Sequence, residues 1–180
     1  MLGRVVAKAA GAVLGTEPLR VFSELGRHPR LFRVWLPFSS TLLYGGLLPS
    51  ADTELVILRT AWRARCRYEW VQHAGLAGRR GLDAVAVAAT GEGPRAGVWT
   101  ARQRLLVEAV DELHDGRGLG ADTVHTLRAV LDARQLIELC MLVGAYEMLA
   151  MTLNTLDVQP EPGALAAMTP ALRAQAAQLA

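Results

Sequence analysis

The sequence predicts an all-α fold, a compact helical bundle, and three observations carry that prediction. Ala, Leu, Arg and Val dominate while Asn is nearly absent, helix punctuation recurs along the chain, and no alternating stretch bounded by hairpin-turn residues offers a place for a sheet. At 180 residues the chain can bury a core of its own, and 52% hydrophobic against 20% charged residues is too apolar for a disordered chain. One domain is expected, with residues 1–16 as an N-terminal segment, 17–160 as the helical domain and 161–180 as a tail.

Taken in order, the stretch from Met1 to Leu14 is apolar apart from Arg4 and Lys8. It is too short to span a membrane, and Lys8 interrupts the run that a signal peptide requires. Helices are predicted from Glu17 to Gly26 and from Pro29 to Tyr44, Pro29 suiting a first helical position and Pro37 expected to kink or divide the second. Gly45, Gly46 and Pro49 form a linker, after which Ser50 or Asp52 caps one long helix running toward Gly78. A short helix from Leu82 to Thr90 leads into a glycine-rich turn. An amphipathic helix from Trp99 to His114 then turns Leu105, Leu106, Val110 and Leu113 inward. Its end carries Asp111, Glu112, His114 and Asp115, read as a solvated terminus. A helix from Asp122 to Leu131 follows, and Asp132 with Gln135 gives a capping-box pattern opening a helix to about Leu156. Beyond Pro160 the expectation is a loop and an Ala-rich helix. Glu54-Leu-Val-Ile-Leu58 is echoed by Gln135-Leu-Ile-Glu-Leu139, and Tyr68-Glu-Trp70 by Tyr146-Glu-Met148, as a duplicated helical hairpin would give.

Charge and cysteine content narrow the function classes. A net charge of +2 from 19 basic and 17 acidic residues offers no dense basic field, so nucleic acid is not an expected partner. Cys66 and Cys140 could form one bridge at most, so the chain is not a disulfide scaffold and a reducing, cytoplasmic setting is expected. The histidines at 28, 73, 114 and 125 are scattered, and no Glu-x-x-His pair is present, so no metal or other cofactor is predicted.

The densest chemistry lies in the predicted long helix. At 100° per residue, Cys66, Glu69 and His73 share a sector of about 60°, flanked by Trp62 and Trp70. Glu69 stands four residues before His73, where it could orient the imidazole, fix its tautomer and raise its basicity. The same spacing fits a plain core helix, in which the cysteine fills space, Glu69 pairs with His73 and the tryptophans supply packing area.

The segment from Glu54 to Leu82, with Cys66, Tyr68-Glu69-Trp70 and His73 at its centre, resembles the core of carboxymuconolactone decarboxylase-like and alkylhydroperoxidase D-like proteins. The similarity extends over roughly residues 30 to 160. In the peroxidase branch that core holds a glutamate, two cysteines two residues apart and a histidine. Glu54, Cys66 and His73 match this pattern, whereas Glu69 stands where the second cysteine would be. The resemblance to the decarboxylase branch implies an enzyme in which His73, with Glu69, acts as general acid or base on a small carbonyl, lactone or carboxylic-acid substrate. Glu54 and Cys66 would complete the site, and Trp62, Tyr68 and Trp70 would line the substrate pocket. It also implies a homo-oligomer, a trimer or hexamer, with a dimer as the smaller alternative. Two other functions remain open: a thiol peroxidase working through Cys66, with Cys140 or an external thiol as partner, and a non-catalytic oligomeric module packed through the Trp62 and Trp70 face.

Overall fold

Local capping accounts for where the helices begin. His28 accepts from the Leu31 N–H ahead of Pro29, Thr100 and Gln103 form one reciprocal capping box, and Asp132 and Gln135 form the other. The computed structural model describes residues 2–14 and 17–180; the expected boundary after residue 16 therefore lies outside the described residues. The helices are α1 Leu2–Leu14, α2 Arg20–Leu25, α3 Pro29–Tyr44, α4 Ser50–Arg63, α5 Arg67–Ala77 and α6 Ala84–Ala89. They continue with α7 Ala101–Gly116, α8 Ala121–Leu127, α9 Ala133–Thr155, α10 Pro162–Ala167 and α11 Pro170–Ala177. No strand occurs among the described residues.

α4 is the axle of the bundle. Every residue from Asp52 to Ala61 is buried, because α5, α7 and α9 cover it from different sides. A helix covered on all sides must have its buried polar side chains matched, and those on α4 each have a partner. Arg59 spans both oxygens of Asp111 at 2.7 Å and donates to the Thr90 carbonyl at 2.7 Å. Glu54, 0% exposed, meets His73 and Arg80.

Two expectations fail in instructive ways. The long helix from Ser50 to Gly78 is two helices: Ala64 ends α4, Arg65 takes a left-handed conformation at φ 51, and Cys66 becomes the N-cap of α5. The Cys66 N–H closes the turn on the Ala61 carbonyl at 2.8 Å. An arginine in the left-handed region, without glycine or proline nearby, leaves no composition signal of a break. Pro37, by contrast, does not divide α3, which runs unbroken through it, with the Thr41 hydroxyl donating to the Pro37 carbonyl at 2.9 Å. The sequence echo also maps unequally, its first copy lying across the α4–α5 break and its second within the single helix α9.

The ends of the chain join the core. α1 packs on α2 and α3, and at its crossing with α2 the backbones of Gly3 and Gly26 come so close that a Cβ on Gly3 would lie 2.6 Å from the Gly26 Cα. From the tail, Glu161 is 1% exposed and accepts from the Arg20 N–H at 2.6 Å and the Tyr68 hydroxyl at 3.0 Å, and also from Gln72. A buried carboxylate needs such donors, and these tie residues 161–180 to α2 and α5. The acidic end of α7 is an ion-pair network rather than a solvated terminus. Asp111 holds Arg59, Arg63 reaches Asp115 at 2.5 Å, and His114 meets Glu147 of α9 at 2.6 Å.

Candidate active site

The break at Arg65 sets the site, because it re-aims α5 so that Glu69, Gln72, His73 and Leu76 face a cavity of about 500 Å³ beneath α1, α2 and α3. Its far walls are apolar, from Val6 and Ala10 of α1 to Trp35 and Leu36 of α3 and Leu149 and Leu153 of α9. Tyr44, Glu69, His73 and Tyr146 bring polar atoms to its lining. A largely apolar cavity with a few convergent polar groups is the usual form of a small-molecule site.

His73 is 7% exposed and clamped on both ring nitrogens. Its Nδ1 lies 2.7 Å from Glu54 Oε2, and its Nε2 lies 3.1 Å from the Tyr146 hydroxyl. The Tyr146 ring stands edge-on to the imidazole, with centroids 5.1 Å apart. Glu54 also meets Arg80 Nε at 3.1 Å, an ionic contact without hydrogen-bond alignment, since neither atom has a well-directed partner. Arg80 in turn donates to the Leu43 carbonyl at 2.5 Å and lies over the Tyr44 ring. The carboxylate that orients His73 is therefore Glu54, nineteen residues away on α4, and not Glu69 four residues before it. Glu69 lies in the first turn of α5, and neither of its carboxylate oxygens reaches His73.

Glu69 is 2% exposed, lines the cavity and has no hydrogen-bond partner on either carboxylate oxygen. Burial pushes its pKa well above the usual carboxyl range. Cys66 is the neighbour it is coupled to, though not through a hydrogen bond of ordinary geometry. Burial, reinforced by the nearby Glu69 carboxyl, pushes the Cys66 thiol far up as well. Tyr146 is raised for the same first reason, burial, and then by Glu69 and Glu54.

The remaining expected residues divide. Tyr68 lines the cavity, its hydroxyl accepting from the Val21 N–H at 3.1 Å while donating to Glu161. Trp62 and Trp70 do not line it: Trp70 is wholly buried in the core, its Nε1 donating to the Thr90 hydroxyl at 3.1 Å, and Trp62 packs edge-on against it. Trp70 thus lies inside the core, with Trp62 partly buried beside it. Cys66 is 0% exposed and absent from the cavity wall, whereas Cys140 is exposed on α9. Cys66 belongs to the cluster containing Ala150 and Leu153, about 15–20 Å along α9 from Cys140, too far for a bridge within the chain. Cys140 is accordingly expected to react with a thiol reagent in the native protein and Cys66 only on unfolding; rapid native labelling of Cys66, read by mass spectrometry, would overturn this.

Arg80 and Tyr146 are the site residues that sequence reasoning missed. Tyr146 had a signal, the Tyr-Glu echo of Tyr68-Glu69, but nothing in it joined α9 to His73. Among the described residues no group of three or more His, Cys, Asp or Glu side chains is arranged to hold a metal ion.

Comparison with known proteins agrees with this architecture. Residues 29–112 match the family model of the carboxymuconolactone decarboxylase family. No curated protein sequence matches the chain significantly. Among solved structures, the chain is similar to an alkylhydroperoxidase AhpD core, a peroxidase-related protein from Ralstonia eutropha JMP134. The TM-score is 0.81 at 16% identity, covering 90% of this chain and 86% of that one. A peroxidase-related protein from Silicibacter sp. TM1040 gives 0.78 at 14% identity, covering 87% and 83%. A cysteine-to-alanine variant of the debrominase Bmp8, in complex with 2,3,4-tribromopyrrole, gives 0.75 at 15% identity, covering 97% and 89%. At these identities the structures establish a shared fold.

Proposed function

We propose that the chain is an acid–base enzyme of the carboxymuconolactone decarboxylase-like superfamily, whose family model it matches over residues 29–112, and that Glu54, His73 and Tyr146 relay protons to and from a small molecule in the apolar cavity. The observation that carries this reading is the unbroken chain of contacts from Glu54 through both nitrogens of His73 to the Tyr146 hydroxyl at the cavity wall. An Nδ1–H donated to Glu54 leaves Nε2 as the acceptor for the Tyr146 O–H. A substrate proton then passes to the Tyr146 oxygen as the tyrosine proton passes to His73 Nε2, and Glu54 stabilises the imidazolium that forms. Reversal of the same transfers returns a proton to the product. Glu69 is the complementary group, a carboxyl without a partner that retains its proton and can donate it into the cavity. The debrominase of the same fold is in complex with a small ring compound, which is compatible with this use of the fold.

The thiol alternative has weaker support. A nucleophilic cysteine needs access and a low pKa, whereas Cys66 is fully buried and its thiol is pushed up. The homo-oligomer implied by the family would find a face on α9, whose exposed Ile137, Met141, Met148 and Met151 repeat at helical spacing. By length and composition α9 would also be able to cross a membrane, and its apolar window is 28% buried inside the fold.

The test is turnover of a substrate found by screening neutral and acidic small molecules. His73→Ala and Tyr146→Phe are each expected to lower kcat by about a hundred- to ten-thousand-fold with little change in circular dichroism. Cys66→Ser is expected to be the milder change. Full loss of activity in Cys66→Ser, with His73→Ala still active, would overturn the proposal in favour of thiol chemistry.

A further inference from the structure

We infer that the cavity selects a neutral, mainly apolar ligand with one hydrogen-bonding group and rejects carboxylates, although carboxylic acids are among the substrates that the family resemblance suggests. This rests on the cavity being the active site, as proposed above, and adds the class of molecule it takes.

The argument is an inventory of charge. No Lys or Arg is among the residues lining the cavity. The nearest guanidinium described at the site, that of Arg80, is committed to Glu54, the Leu43 carbonyl and the face of Tyr44. The other polar side chains are largely committed too. Gln72 and Tyr68 both donate to Glu161, and both nitrogens of His73 are occupied. What remains open is the Glu69 carboxyl, with neither oxygen engaged, the lone pairs of the Tyr146 hydroxyl, and the hydroxyls of Ser39, Ser40 and Tyr44, none of which brings a positive charge.

An anion entering this space would lose its hydration with no free cation to replace it, and would approach the carboxylate of Glu54 behind His73, while Glu69 could offer it a single hydrogen bond and no charge. A neutral molecule meets no such penalty. Its apolar body fits against Val6, Trp35, Leu149 and Leu153, and one hydroxyl, carbonyl or N–H group satisfies Glu69 or Tyr146. The unpartnered, almost fully buried carboxyl of Glu69 is the feature that a ligand completes.

A matched pair tests this: 4-propylphenol, neutral at pH 7, against 4-propylbenzoate, anionic there, titrated into the full chain by calorimetry and by the fluorescence of Trp35 in the wall. The phenol is expected to bind at least ten times more tightly, the gap closing as the benzoate is protonated toward pH 4. Cavity-filling Ala10→Phe, or Leu149→Trp if the first unfolds, is expected to abolish phenol binding. Equal or tighter binding of the benzoate at pH 7, absence of binding by the phenol, or phenol binding unchanged in both filled variants would overturn the inference. Binding is read without turnover, so its outcome is separate from that of His73→Ala. Loss of the proton relay leaves ligand selectivity intact, and failed selectivity leaves the relay standing.

Discussion

Glu54→Ala is expected to lower folding stability by about 3–5 kcal/mol, the effect of breaking a buried pair by removing one partner, and to abolish turnover. Glu54 is 0% exposed and holds His73 at 2.7 Å and Arg80 at 3.1 Å, with Arg80 only 17% exposed. Alanine leaves a guanidinium in the interior facing a void, frees His73 to change tautomer and rotamer, and opens space beside Leu55 and Ile57 in the α4 core. Domain stabilities are about 5–15 kcal/mol, so the variant is expected at the edge of folding at room temperature. Glu54→Gln separates the two roles. It keeps the volume and a carbonyl acceptor for His73 Nδ1–H but removes the charge that stabilises the imidazolium. It is therefore expected to fold with a smaller loss of stability while losing most of kcat. Urea denaturation of both variants checks the order, and a Glu54→Ala protein within about 1 kcal/mol of the parent would show that this ion pair carries neither stability nor orientation.

The contrast between what sequence reasoning reached and what it missed has a physical cause. The capping boxes at Thr100 and Asp132, the proline at the start of α3 and the inward face of α7 are local, and were legible because a cap or a stripe depends on residues three or four apart. Glu54, His73 and Cys66 were marked by their resemblance to a known core. The pairing of His73 with Glu54 was hidden because it joins two helices across nineteen residues, and the left-handed Arg65 that sets α5 against α4 leaves no composition signal. Arg80 and Tyr146 reach the site through the tertiary packing of α4, α5 and α9, which no periodicity encodes. That Cys66 is buried and Cys140 exposed was hidden for the same reason. Flanking residues along one helix suggest burial but do not decide which helix faces are covered.

Glu69→Met is expected to move in the opposite direction from Glu54→Ala, raising stability near neutral pH by about 1–3 kcal/mol, the usual cost of a buried polar group without a partner. In the unfolded chain Glu69 releases its proton around its ordinary value of 4.5; in the fold burial holds that proton to a well higher pH. Across that window the folded state binds more protons than the unfolded state. Stability contributed by Glu69 is therefore fully present below the unfolded value and is lost as pH rises toward the folded one. Methionine has no proton to hold, and its flexible thioether fills the same space beside Cys66 and the cavity. The advantage of the variant is thus expected to be smallest near pH 4, to grow as pH rises, and to level off above the folded value. Thermal melts of the two proteins from about pH 4 to pH 8 measure this, with the melting temperatures separating by a few degrees at the upper end. Parallel curves across the range would mean that Glu69 is solvated or partnered in solution and is not the open carboxyl of the cavity. A more stable protein that has lost turnover would place Glu69 among residues kept for chemistry at the expense of the fold.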